Sequence, residues 1–295
     1  MEEKNPYFSI IVPTYNRPKK LADCLESLSH LDYPRDRFEV IVIDDKSDQS
    51  LQPVVDGFTD QLEVTLIKQI HAGPAAARNT GVRKAKGDFL VFLDDDCITP
   101  THLLQKLSAR CLLVSDHAIG GKTINELRGN LYSAASQAII DVVYSYYNPN
   151  PRQACFFASN NLTVPADRFR TLGGFDVTFT TSEDRDLCDR WLHHGLQMTY
   201  APEVVIYHCN ELNFSTFWRQ HFNYGRGAYR YHQARARRGT GRFKPDIKLY
   251  IRLICYPFRQ KLGYRTLWLT LLVVVSQVAS TMGFFGEGFN QIKKR

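Results

Sequence analysis

This sequence lacks paired cysteines. Its seven, Cys24, Cys97, Cys111, Cys155, Cys188, Cys209 and Cys255, are scattered, with no Cys-x-x-Cys spacing. That pattern argues against a disulfide frame or a zinc site and for a reducing compartment. Internal repeats and low-complexity segments are absent. Hydrophobic and charged contents of 44% and 23% set aside disordered, collagen-like and coiled-coil classes. Met1–Pro6 has neither a basic start nor an apolar core, so no secretory signal is expected. Carboxylates are missing between Arg226 and Arg265 except for Asp246, and charge of either sign is missing between Arg265 and Glu287. With 295 residues, the chain can bury one large domain or a domain with an appendage.

What is present centres on Gly87–Cys97. The apolar run Phe89–Leu93 reads as a buried strand and ends in Asp94-Asp95-Asp96, which no apolar core accepts. Carboxylates at a strand's carboxyl end stand where open α/β sheets bind ligands. Three together repel one another unless a cation sits among them. Oxygen donors at this spacing suit Mg²⁺ or Mn²⁺ carrying a phosphate, whereas the plainer alternative is a solvated acidic turn. Phe8–Pro13, Phe38–Ile43 and Val64–Ile67 are predicted strands, the second again ending in acids, Asp44-Asp45. Leu21, Cys24, Leu25 and Leu28 mark a helix between the first two, and an Ala-rich helix runs from Gly73 to Lys86. Alternating strands and helices with continuous apolar strands predict a mostly parallel α/β sheet covered on both faces. Two acidic strand ends on one rim suggest a nucleotide site.

Ile11-Val12-Pro13-Thr14-Tyr15-Asn16-Arg17, Val42-Ile43-Asp44-Asp45-Lys46-Ser47, Gly73-Pro74-Ala75-Ala76-Ala77-Arg78-Asn79 and Phe92-Leu93-Asp94-Asp95-Asp96 resemble, in order and spacing, the family 2 glycosyltransferases of GT-A fold. The resemblance runs from Phe8 to His208. It implies that Pro13, Thr14, Asn16, Asp44, Asp45 and Arg78 serve the nucleotide-sugar donor, although Arg78 also fits a helix-surface arginine. Asp94 and Asp96 would form the Asp-x-Asp pair, with Asp94 toward ribose or sugar and Asp96 on a divalent metal. Asp95 joins the donor set as a residue that positions the backbone and points away from the metal. Phe156–Val164 resembles the strand that brings Asn160 and Asn161 near the donor sugar.

Gly173-Gly174-Phe175-Asp176 resembles another family element and precedes Glu183-Asp184, which opens a helix. A helix cap explains one of these acids but not Glu183, Asp184 and Asp186 together. Inverting sugar transfer needs a base for the acceptor hydroxyl. The resemblance gives that role to Asp184, with Glu183 as partner. His208, at the end of the predicted strand Ala201–His208, matches the family's metal-shell histidine, although a boundary residue is the plainer reading. Arg219, His221 and Arg226 lie in an aromatic and basic stretch, where they would meet the acceptor or leaving diphosphate or belong to a membrane-facing helix. Gln220 and Tyr224-Gly225-Arg226 replace the Gln-x-x-Arg-Trp of processive synthases, which counts against polymer synthesis.

The basic block and the uncharged run after it predict membrane association rather than nucleic-acid binding. The apolar stretch at 267–285 either spans the membrane or lies on an anionic surface, and basic residues on both flanks, including Lys293-Lys294-Arg295, give no orientation. The expected organisation is a catalytic domain over 1–212 and a membrane-associated helical segment over 213–295. The expected activity is transfer, with inversion, from a nucleoside diphosphate sugar, UDP-linked by analogy, to a hydroxyl of a lipid-linked or glycolipid acceptor. The setting would be cell-envelope glycan synthesis at the cytoplasmic face of a membrane. A sugar nucleotidyltransferase and a noncatalytic glycan-binding relative are the rival readings.

Overall fold

The alternating apolar runs fold as strand and helix in turn in the computed structural model, which describes residues 5–260 and 263–292. The first half comprises β1 (Phe8–Thr14), α1 (Pro18–Ser29), β2 (Phe38–Asp44), α2 (Gln52–Asp56), β3 (Val64–Lys68), α3 (Pro74–Lys84) and β4 (Phe89–Leu93). There follow β5 (Cys97–Ile98), α4 (Leu103–Leu113), β6 (Ala118–Asn125), α5 (Leu131–Tyr147), β7 (Asn161–Pro165), α6 (Ala166–Thr171), α7 (Glu183–His193) and β8 (Met198–His208). Three helices close the chain: α8 (Phe214–Arg238), α9 (Ile247–Arg259) and α10 (Arg265–Ile292). Met1–Lys4 and the basic end Lys293–Arg295 lie outside the described residues.

One sheet in the order β3-β2-β1-β4-β7-β6-β8-β5 organises these elements. The strands from β3 to β4 pair in parallel, as does β6 with β8, whereas β7 and β5 run antiparallel to their neighbours. The predicted α/β sheet with helices on both faces is therefore present as a mixed sheet. Cover on both faces explains why β1, β2 and β4 are largely apolar, the buried Ser9 and Glu39 satisfying each other by a hydrogen bond. Ile10, Val12, Val40, Val42 and Val91 face Leu21, Leu25, Leu104 and Leu107, while Ile11, Ile41, Ile43, Leu90 and Phe92 face Ala77, Val82, Phe169 and Trp191. Truncating a fully buried ring such as Phe92 costs about 3–5 kcal/mol in such a core.

Two local expectations change. The strand expected over Phe156–Val164 begins only at Asn161, because the Asn148 side chain accepts from the N–H groups of Cys155 and Phe156 and holds that segment as a loop. In α5, only Tyr144 among the four tyrosines of 123–152 turns fully inward; Tyr132, Tyr146 and Tyr147 stay partly exposed.

The helix α10 is long and apolar enough to cross a membrane by length and composition. Leu269, Leu272 and Val273 are buried in its first half, but further along small and polar residues turn inward and many large apolar ones outward. Ser276, Ala279, Gly283 and Glu287 are buried, while Leu267, Leu271, Val274, Val278, Phe285 and Phe289 are exposed. Small residues make the inner face possible. A Cβ on Gly225 of α8 would lie 1.9 Å from the Ser280 carbonyl oxygen, and one on Gly283 would lie 1.9 Å from that of Phe222. The two backbones therefore touch. Glu287 accepts from Nε of Arg226 at 2.9 Å and of Arg230 at 2.8 Å, closing the far end of the crossing.

Candidate active site

Because β1, β2 and β4 are parallel, their carboxyl ends bring Thr14, Asp44-Asp45 and Asp94-Asp95-Asp96 to one rim. The rim opens into a cavity of about 1190 Å³ lined by Pro13, Thr14, Asp45, Arg78, Asp94, Asp95, Asn160, Glu183, Asp184, His208 and His221. Asp45 accepts the backbone N–H groups of Ala72 and Gly73 at 2.8 and 2.9 Å, which fixes the turn into α3. Beside it Tyr15 packs against His71 with ring centroids 4.7 Å apart and the rings tilted by 36°, giving the cavity an aromatic wall. The sequence does not mark this pair: Tyr15 lies within the Ile11–Arg17 stretch without distinction, and nothing local marks His71.

The three consecutive acids divide. Asp94 accepts from Arg78 Nη2 at 2.7 Å and faces the cavity. Asp95 turns back to accept from Thr14 Oγ1 at 2.7 Å and Arg17 Nη1 at 3.0 Å; burial lifts its pKa to about 6 despite those partners. Asp96 lies beside His208, Oδ1 to Nε2 3.1 Å, because β5 pairs Cys97 with His208. Burial opposes ionisation of Asp96, but His208, Arg17 and Lys20 together hold its carboxyl well below the usual range. Arg17 and Lys20 reach its Oδ2 at 3.3 and 3.5 Å, contacts that sequence reading did not anticipate.

Opposite this rim, α7 begins after Ser182, whose left-handed φ of 71° turns Glu183 inward and leaves Asp184 on the cavity wall. Gly227 of α8 packs on that turn, and Thr181 Oγ1 donates to the Asn223 carbonyl at 2.8 Å. Arg78 links the two sides. Its Nη1 reaches Glu183 at 2.8 Å while its Nη2 holds Asp94, and it is 3% exposed, so it is no surface arginine. Burial first, then the neighbouring Glu183 charge, raise Asp184 to about 7. At that value the carboxyl can both take and hold a proton near neutral pH.

Several other predicted site residues stand elsewhere. Asn16 and Asp44 do not line the cavity: Asn16 exchanges hydrogen bonds with Asp48, and Asp44 accepts the Ser47 N–H, so both fasten loops. Asn161 is the first residue of β7 and donates to the Lys122 and Val204 carbonyls inside the sheet, whereas Asn160 presents a buried Oδ1 with no partner. Arg219 is exposed and off the cavity, and Arg226 is committed to Glu287. His221 does line the cavity, but burial pushes it down to about 4 and keeps it neutral, so it offers no positive charge to a diphosphate.

A model described as "Glycosyl transferase family 2" matches residues 9–162. The chain belongs to this family. A second, "Glycosyl transferase family group 2", matches residues 89–287 of this family 2 chain. Glycosyltransferase AglE of Haloferax volcanii is 26% identical over 231 residues, 75% of this chain and 73% of the relative. Poly(ribitol-phosphate) beta-N-acetylglucosaminyltransferase TarS of Staphylococcus aureus is 41% identical over 92 residues, which are 30% of this chain and 16% of the relative. Among solved structures, mannosyltransferase PcManGT from Pyrobaculum calidifontis in complex with GDP-Man and Mn2+ superposes with a TM-score of 0.63 at 20% identity, covering 94% of this chain and 76% of that one. S. aureus TarS 1-349 gives 0.58 at 17%, covering 98% and 92%. The fold is thus GT-A, and the family's activity is glycosyl rather than nucleotidyl transfer.

Asp96 and His208 also fit a small divalent ion. Donors about 2.1 Å from such an ion stand about 3 Å apart when they are neighbours in an octahedron, close to the observed Oδ1–Nε2 separation. Cys97 completes the local cluster of ligand-type residues, but burial pushes its thiol well up, so it offers no thiolate.

Proposed function

We propose that this glycosyltransferase moves one sugar, with inversion, from a nucleoside diphosphate sugar to a hydroxyl of a lipid-linked or glycolipid acceptor. The observation that carries the reading is the Arg78 bridge, which sets Asp94 of the donor rim and the Glu183-Asp184 pair against one cavity. Asp184 takes the proton of the acceptor hydroxyl. The freed oxygen pair forms the new bond to the anomeric carbon, and the bond to the diphosphate oxygen breaks, its electrons leaving with the nucleoside diphosphate. Attack from the face opposite the diphosphate inverts the centre. The charge of Glu183, held in place by Arg78, adds to burial in raising the basicity of Asp184.

Asp96 and His208 would hold a divalent ion (Mg²⁺ or Mn²⁺), which would supply positive charge against the departing diphosphate. Tyr15 and His71 carry the base, and Asp45 orders the loop beneath it. Uridine is the proposed nucleoside, supported by the solved complex of TarS 1-349 with UDP-GlcNAc; the PcManGT complex contains GDP-Man.

Residues 1–212 act as the catalytic domain and 213–295 as a membrane-associated segment at the cytoplasmic face. The exposed apolar stripe of α10 and the basic residues of α9, Lys248, Arg252 and Arg259, support a helix pair on an anionic surface. An in-plane orientation fits better than a span, because α8, which packs along α10, carries Arg219, Arg226 and Arg230. A donor screen with membrane extract as acceptor and Mn²⁺ present, read by mass spectrometry, tests the proposal. A lipid gaining one sugar is expected. No transfer from any nucleoside diphosphate sugar would overturn it.

A further inference from the structure

Arg185 follows the proposed base directly in the chain, and its surroundings set it apart. Its guanidinium carbon lies 5.8 Å from the Phe156 ring centroid and 5.3 Å from that of Tyr231, so two aromatic faces hold the cation against the cavity wall. Among the described residues it forms no ion pair. The neighbouring arginines do: Arg190 and Arg238 hold Asp186, and Arg235 and Arg238 hold Asp189. The two carboxylates on the same face of α7 are therefore already matched, and Arg185 is left over. The adjacent Asp184 acts on Arg185 electrostatically but forms no ion pair with it, so among the described residues its N–H groups remain uncommitted and an anionic ligand would meet them directly.

Two more observations point the same way. His232, on α8 beside Tyr231, lines the cavity with a buried Nδ1 that has no hydrogen-bond partner. Past these residues Phe243 and Phe284, tilted with ring centroids 4.8 Å apart, line the wall together with Leu249, Leu253 and Phe285, and Lys244 and Asp246 lie among them. The chamber thus runs from the base, past an unpaired cation, to a stretch of wall formed by Leu249, Tyr250 and Leu253 of α9.

We infer that the acceptor is a phosphate-bearing lipid, its phosphate held by Arg185 between Phe156 and Tyr231 while its chain follows the wall along α9. This rests on the glycosyl-transfer reading above and deepens it: the acceptor is anionic, with its charge fixed next to the reacting hydroxyl. A neutral glycolipid would leave Arg185 unmatched.

Equilibrium binding to the full chain tests this with three probes: dodecyl phosphate, a neutral dodecyl glycoside and inorganic phosphate. Dodecyl phosphate is expected to bind most tightly. Arg185→Gln should weaken it about tenfold or more while leaving the neutral glycoside unchanged, and Arg185→Lys should restore part of the loss. Thermal unfolding of each variant controls for folding. Equal affinity of wild type and Arg185→Gln for dodecyl phosphate overturns the inference, as does inorganic phosphate binding as tightly as the lipid. UDP binding is measured on the same samples. Its loss in Arg185→Gln would assign the arginine to the donor's diphosphate and also overturn the inference, whereas its absence in wild type would count against the donor reading instead.

Discussion

Arg78 Nη1 donates to Glu183 Oε1 at 2.8 Å across 105 residues of chain, with the guanidinium only 3% exposed. The pair joins α3, on the donor side, to the first turn of α7, on the acceptor side. Arg78→Ala leaves Glu183 buried and unmatched, which costs about 3–5 kcal/mol, and it frees Asp94 as well. A large fall in unfolding midpoint together with loss of transfer is expected. Arg78→Lys can meet only one of the two carboxylates, so it should keep the fold and lose most of the rate.

Asp184 separates stability from activity. Its folded pKa is raised to about 7, so between the ordinary carboxylate range and neutrality the folded state holds a proton that the unfolded state has lost. Stability from this group is therefore greatest at acid pH and falls as pH rises toward 7. Asp184→Asn removes that penalty and should stabilise the protein at pH 8 by about 0.5–2 kcal/mol in denaturant titrations, while lowering transfer by about 10²–10⁴. The wild-type rate should climb with pH and level off above about 7. A flat profile would remove Asp184 from the role of base.

Chelation should stop transfer, and Mn²⁺ or Mg²⁺ should restore it. Removing a ligand weakens metal affinity, so His208→Ala should raise the metal concentration needed for half-maximal rate by about tenfold or more. Stripping the divalent ions from wild type without loss of rate would refute the assignment.

The α8–α10 crossing allows almost no added volume. Gly283→Ala drives a methyl group onto the Phe222 carbonyl and should cost about 1–3 kcal/mol. Leu271→Glu with Val278→Glu, both on the exposed stripe, should leave the melt unchanged and abolish flotation with anionic vesicles.

Much of the fold was legible because strands covered on both sides must be apolar throughout, and Ile10–Val12 and Val40–Ile43 leave no other reading. The acids were legible for the converse reason: no core takes three carboxylates. What eluded the sequence were choices between equivalent neighbours. Nothing local says that Asn160 opens to the cavity while Asn161 brackets the sheet, since a shift of one residue reverses a strand's faces. Arg226 read as a free cation because its partner, Glu287, lies 61 residues away, past the apolar run. His221 read as a charge because a sequence does not display burial.

Since Gln277, Ser280, Thr281 and Phe284 of α10 form part of the chamber wall, the apolar last helix of this chain cannot be trimmed away for convenience. Cutting before Arg265 would unroof the reaction chamber and bare the apolar surface of α5 and α8, with Ala135 and Phe217, that α10 covers.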